Sequence, residues 1–159
     1  MCVVIDSCCL AMVFDSSNEK HLSFIPILDW INGSGCMIYG GSKYNLELRR
    51  LPKYLSLVAE LRKTQRAIPV PDAEVDSIAV ELKKKFPNPE FNDEHIAALV
   101  IASRCGVVCT IDKPATAYLR SVEVFTGRDM SRPSIYSGHR DHKKLCCNQN
   151  LVGICRKRA

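Results

Sequence analysis

No apolar run in this chain approaches the roughly 18 residues of a membrane span, and the opening Met1-Cys2-Val3-Val4-Ile5-Asp6 carries no basic stretch of the kind that begins an export signal. Both absences argue against membrane and secretory classes, so a cytoplasmic protein with no membrane partner is the expectation. An even set of cysteines is missing too: there are nine, at positions 2, 8, 9, 36, 105, 109, 146, 147 and 155, with two adjacent pairs. An odd count with neighbouring pairs, several in apolar segments, fits reduced thiols acting as small hydrophobes better than a disulfide framework. Cys105 and Cys109 only loosely resemble a metal pair, since one falls at a helix end and the other in a strand. No second domain is needed. The 159 residues, 47% apolar and 25% charged, suit one globular domain with enough interior for a three-layer core.

The formal charge of +5 is unevenly placed. Residues 1–139 hold sixteen basic and sixteen acidic side chains, whereas residues 140–159 hold six basic and one acidic. Within the balanced part, residues 43–66 carry seven basic and two acidic groups, including Lys43, Arg49 and Arg50. Such a stretch is usually a solvated helical face, but it can also guide a polyanion toward an acidic centre.

Short apolar runs alternate with longer helical patterns, the signature of a parallel sheet with crossover helices. Strands are expected at 2–6, 36–39, 67–70 and 107–111. Helices are expected from Cys8 to Phe14, from His21 to Ile31 with Pro26 as a kink or restart, from Gly41 to Arg50, and from Pro52 to Gln65. Asp72 is positioned to cap a helix over 73–86, with Val75, Ile78, Ala79 and Leu82 on one face. Asn92 reads as the cap of a helix through Arg104 that Gly106 ends. The fold class this implies is α/β.

Four carboxylates fall where these strands end or helices begin. Asp6 ends Val3-Val4-Ile5, Glu47 lies on the helix over 41–50, Asp93 opens Asn92-Asp93-Glu94-His95-Ile96, and Asp112 follows Val107-Val108-Cys109-Thr110-Ile111. A helix of about eleven residues runs about 16 Å and a strand returns by a similar distance, which brings Asp93 and Asp112 to one level. Clustered carboxylates repel and take up protons unless a cation is present. Their hard oxygens suit Mg²⁺ or Mn²⁺, and two such ions about 4 Å apart can hold the attacking and leaving oxygens of a phosphodiester displacement. Nucleic-acid hydrolysis is therefore the leading expectation. Three of the acids also have a plainer role: Asp93 can favour a helix N-terminus, Asp112 can serve a turn before Lys113-Pro114, and Glu47 can be a surface glutamate, whereas Asp6, directly after a buried-type strand, has few such explanations. Glu94 competes with Asp93, and His95 reads as packing or surface. A haloacid-type phosphotransferase needs a second acid two residues after Asp6, where Cys8 stands, and a receiver domain needs paired early acids that are not evident.

The ordered set Val3-Val4-Ile5-Asp6-Ser7, Glu47, Asn92-Asp93-Glu94-His95-Ile96 and Thr110-Ile111-Asp112 resembles the PIN-domain nucleases, which include the toxin ribonucleases of bacterial toxin–antitoxin pairs. The resemblance spans residues 1–136, with residues 137–159 as a basic tail containing a short helix. It implies a three-layer α/β/α sandwich with a mainly parallel sheet of four or five strands, an acidic pocket at the carboxyl ends of the strands, and Mg²⁺- or Mn²⁺-dependent cleavage of single-stranded RNA. An antitoxin or other regulatory protein and a homodimer are the implied partners. Asp6, Asp93 and Asp112 are then candidate metal ligands, with Glu47 a further ligand or an orienter. Ser7 and Thr110 are candidates to hydrogen-bond these carboxylates, and Lys43, Arg49 and Arg50 to hold phosphates. In the tail, His139, His142, Cys146 and Cys147 have zinc-compatible chemistry, but a short amphipathic basic helix that docks RNA or an acidic partner accounts for the segment without metal. The competing expectation is a catalytically silent PIN-like module that binds RNA or a protein.

Overall fold

Cys2-Val3-Val4-Ile5 has no polar position, as suits a strand covered on both faces. In the computed structural model, which describes residues 2–126, 131–147 and 153–156, it forms β1 (Cys2–Ile5), fully buried along its length. The other strands are β2 (Cys36–Gly40), β3 (Ala67–Val70), β4 (Val107–Cys109) and β5 (Ser134–Tyr136). They make one five-stranded sheet in the order β3-β2-β1-β4-β5, with every pairing parallel. The helices are α1 (Leu10–Phe14), α2 (His21–Asn32), α3 (Ser42–Arg49), α4 (Pro52–Lys63), α5 (Asp72–Lys85), α6 (Glu94–Ser103), α7 (Lys113–Leu119) and α8 (Gly153–Arg156).

The chain steps from β1 outward to β3, then crosses back to β4 on the other side of β1. With right-handed crossovers, the reversal puts the connections before and after β3 on opposite faces of the sheet, and the result is a three-layer α/β/α sandwich. The reversal also separates the chain ends leaving β1 and β4. Such a switch point opens a crevice beyond the carboxyl ends of the strands. α6 fills the layer behind it: Ile96, Ala97, Ala98, Leu99 and Val100 are all buried, and α6 packs along α5 and over β1, β2 and β3.

Several local expectations change. α2 runs through Pro26 without ending. Asp72 does not cap α5; its carboxylate instead accepts from the Gly41 N–H (2.9 Å) and the Asn45 amide (2.8 Å), tying α3 to α5. Asp76 likewise accepts from the Ser42 N–H and hydroxyl. At the next helix Asp93, not Asn92, holds the cap position of α6, and Arg104 in the left-handed region, rather than Gly106, ends it. The residues after β4 wind into α7 with Asp112 as its cap. The cysteines are mostly thiols, with one exception to the expected reduced set: Cys2 and Cys155 form a disulfide because β1 begins where α8 comes to rest.

Past residue 136 the chain continues as a 3₁₀ segment (Arg140–Leu145) beside β5 and then α8. The His142 ring lies 5.8 Å from that of Tyr136 and its Nδ1 accepts from the Ser137 N–H at 3.0 Å. His139, His142, Cys146 and Cys147 do not gather into a metal-sized group. Among the described residues, no helix is long and apolar enough to cross a membrane.

Candidate active site

β1 delivers Asp6 directly to the switch-point crevice. Its backbone N–H still bonds to the Cys109 carbonyl (2.9 Å), so the sheet ladder fixes its position before the chain turns away. The Asp6 carboxylate, 6% exposed, is held from two directions. The Thr110 hydroxyl donates to Oδ2 at 2.7 Å and the Cys8 N–H reaches Oδ1 at 3.3 Å. Thr110, fully buried just after β4, in turn accepts from the Asp112 N–H at 3.0 Å. A relay Asp112 N–H to Thr110 O–H to Asp6 thus locks the two acids of neighbouring strands to one another. Asp112 Oδ1 accepts from the Ala115 N–H at 2.8 Å, the cap of α7. Capping occupies one lone pair of a carboxylate with about four acceptor sites, which leaves capacity for a cation.

Glu47 comes from α3, and the turn that starts this helix explains its placement. Gly40 and Gly41 have φ of 147° and 88°; a Cβ at Gly40 would lie 2.3 Å from the Val70 carbonyl oxygen, and one at Gly41 2.6 Å from Val75 Cγ1. Only glycine makes so abrupt a strand-to-helix turn in that space. α3 is then pinned by Tyr44, whose buried hydroxyl donates to the Ile5 carbonyl at 2.6 Å, one residue before Asp6. Burial, with Asp6 and Glu47 nearby, pushes the Tyr44 phenol well above its usual range. Glu47 Oε2 accepts from the Ser7 hydroxyl at 2.7 Å. Burial raises the Glu47 carboxyl, but His95 and Ser7 outweigh it and the net shift is downward.

Asp93, at the N-terminus of α6, is half-buried and caps nothing with its side chain. Burial and the charges of Asp6 and Asp112 push its carboxyl up, against the opposing pull of His95 and Lys43. Asp6, at the end of β1, and Asp112, just past β4, are thus close enough to Asp93 at the start of α6 for their charges to act on it. No three of the described acids bring an oxygen each within 4.8 Å of one another. The donor set is carboxylate oxygen throughout, the chemistry that suits Mg²⁺ or Mn²⁺, and a cation among the acids would offset the repulsion that raises Asp93.

Two further residues of this wall stand out, Glu94, which competed with Asp93 in the sequence, and His95, which read as packing or surface. Glu94 and His95 are both more than nine-tenths buried. Glu94 Oε2 and both ring nitrogens of His95 lack a well-directed hydrogen bond, although His95 Nε2 stands 3.3 Å from Glu47 Oε1. Burying Glu94 Oε2 and His95 Nδ1 without partners is costly. The signal for them in the sequence was the run Asp93-Glu94-His95 itself, too polar for the start of an otherwise apolar buried helix.

Lys43 behaves differently from a ready phosphate ligand. Its ammonium pairs with Glu94 Oε1 at 3.3 Å and donates to the Asn92 carbonyl, bridging α3 to the start of α6. Arg49 and Arg50 are exposed at the far end of α3. Compared with protein-family models, with curated proteins and with solved structures, the chain matches none.

Proposed function

We propose that the crevice is the active site of a Mg²⁺- or Mn²⁺-dependent endoribonuclease that hydrolyses phosphodiester bonds of single-stranded RNA. The observation that carries this reading is the placement of Asp6 and Asp112 at the ends of two neighbouring strands, joined through Thr110, with the charge of both acting on Asp93 and with Glu47 held by Ser7 beside Asp6. Separate stretches of chain converge there, at the end of the sheet where ligands of parallel α/β folds bind. The PIN-like order of the same acids supports RNA as the substrate, and with it a toxin-like role, control by an antitoxin protein and a homodimer.

Asp6, Asp93 and Asp112 would hold the cation, with Glu47 ligating or orienting. The bound cation would supply acidification of water and neutralisation of charge on the phosphoryl oxygens. The chain's own groups do the positioning. Thr110 and Cys8 N–H fix Asp6, Ala115 N–H fixes Asp112, Ser7 fixes Glu47, and Lys43 holds the α3 and α6 walls together. Arg49 and Arg50 are free to follow the phosphate backbone into the crevice. No side-chain nucleophile is required.

One observation favours a second reading, a catalytically silent module that binds RNA or a protein: Asp6 and Asp112 each cap the segment that follows them. Incubation of defined single-stranded RNA and DNA with Mn²⁺, beside an EDTA control, separates the two. Cleavage of RNA that EDTA stops and that Asp6→Asn abolishes, with an unchanged circular dichroism spectrum, supports the nuclease. RNA retention by the folded wild type without cleavage at any Mg²⁺ or Mn²⁺ concentration supports the silent module.

A further inference from the structure

The opposite end of the sheet holds a second convergence of chemically reactive side chains. Cys2 opens β1 and Cys36 opens β2, and the two are register partners in neighbouring strands. α8 brings Cys155 onto them from the far end of the chain. Cys36 Sγ lies 2.9 Å from Cys155 Sγ and 3.6 Å from Cys2 Sγ, and all three cysteines are at most 4% exposed. Among the described residues they are the one group of three or more potential metal ligands whose donor atoms all lie within 4.8 Å. A fourth cysteine stands beside them: the Cys105 thiol donates to the Cys2 carbonyl at 2.9 Å.

A disulfide accounts for two of these sulfurs. It does not account for the third, delivered to the same point from an adjacent strand, nor for the fourth behind it. Sulfur is the donor that zinc and copper(I) prefer over oxygen; three converging cysteines are enough for copper(I), and a closed structural zinc site takes a fourth ligand, for which Cys105, hydrogen-bonded to the Cys2 and Val107 carbonyls, is the nearby thiol. An apolar residue would fill the space equally well at any one of these positions; the convergence of all of them is the observation to explain.

We propose that Cys2, Cys36 and Cys155, once reduced, bind one soft d¹⁰ cation, zinc or copper(I), with Cys105 as the fourth ligand that zinc requires. Reduction of the Cys2–Cys155 bond by a dithiol balances simply. The dithiol gives up two electrons and two protons and closes to its own disulfide, leaving two further thiols beside Cys36. The ion then displaces thiol protons to solvent. Metal or disulfide would each fasten α8 to the first two strands, so the last described helix is held to the sheet in either redox state. β1 separates Cys2 from Asp6 by roughly 13 Å of strand, which makes this site independent of the acidic crevice and of the nuclease reading.

The test is native mass spectrometry of the full chain, reduced and kept anaerobic, titrated separately with zinc and with copper(I). Wild type is expected to take up one equivalent, with the mass of the ion offset by the protons displaced, and oxidised wild type none. Cys36→Ser is expected to fall below about a tenth of an equivalent, while Cys146→Ser stays at one. Cys105→Ser is expected to lose zinc and keep copper(I), and cobalt(II) in the zinc arm should show thiolate charge-transfer bands. Because the wild-type titration stands without any variant, misfolding of a mutant does not rescue the idea. Uptake of neither ion by the reduced wild type, or equal uptake by Cys36→Ser, overturns it.

Discussion

Thr110→Val is the most direct probe of the acidic crevice because it changes shape hardly at all. It removes the hydroxyl that donates to Asp6 Oδ2 at 2.7 Å and accepts from the Asp112 N–H at 3.0 Å, at a position with no solvent access. A hydrogen bond to a charged group contributes about 1.5–3 kcal/mol, and an N–H left without a partner costs about 1–3 kcal/mol more unless water reaches it. A loss on the order of 3 kcal/mol is expected, a large share of the roughly 5–15 kcal/mol total stability of a domain. Thr110→Ser keeps the hydroxyl and deletes one buried methyl, worth about 1 kcal/mol. Urea unfolding of both variants in EDTA should therefore place valine about 2 kcal/mol below serine, a gap that comes from the hydrogen bonds. In Mg²⁺ the valine variant should also bind the ion about 10–100-fold more weakly, as loss of a ligand-orienting hydrogen bond does. Equal stability of the two variants would refute the claim that Thr110 holds the Asp6 carboxylate in place.

Three further outcomes test the same geometry. Asp93→Asn should raise the melting temperature of the metal-free protein while removing metal-dependent cleavage, because the Asp93 charge is opposed by burial and by Asp6 and Asp112. A carboxyl raised in the folded state contributes stability that is present below its unfolded pKa and lost as pH rises through its folded pKa, so the advantage of asparagine should grow from acid toward neutral pH in EDTA melts; a destabilised Asn variant would contradict this. Ser7→Ala frees Glu47 Oε2, and an unchanged Mg²⁺ titration there would remove Glu47 from the ligand set, since a loss of about tenfold or more is expected. Gly41→Ala, with φ of 88° and a Cβ 2.6 Å from Val75 Cγ1, should cost about 1–3 kcal/mol in urea unfolding and lower activity through α3 and Glu47.

The α/β class was legible because its strands are unbroken apolar runs: Cys2–Ile5 and Ala67–Val70 have the boundaries their residue pattern implies, to within a residue. That Asp6 and Asp112 follow the ends of strands was legible too, but the pairing of β1 with β4 that sets them side by side was not. What could not be read was partner choice for polar side chains. Asp72 stands where a helix cap belongs, yet its carboxylate finds the Gly41 N–H and Asn45 thirty-one and twenty-seven residues back along the chain. Lys43 reads as a phosphate ligand until α6 brings Glu94 against it. The cysteine cluster was invisible for the same reason. Positions 2, 36 and 155 have no spacing in common, and only the pairing of β1 with β2 and the return of α8 make them neighbours.

The hydrogen bonds around the four acids are unevenly shared. Asp6 accepts from Thr110 and Cys8, Asp112 from Ala115, and Glu47 from Ser7. Each of these carboxylates is therefore anchored by a fixed donor and turned by it. Asp93 is the acid to which no such donor comes among the described residues, and it is the one whose carboxyl is pushed up. Beside it Glu94 Oε2 is buried without a partner. A structural cluster would distribute donors evenly, since every unmatched buried charge costs stability. Here the unmet demand for positive charge lies at the N-terminus of α6, facing the two strand ends. On the nuclease reading, an ion seated there would meet Asp93 directly and Asp6 and Asp112 through bridging water, because no three of these acids hold oxygens within 4.8 Å of one another.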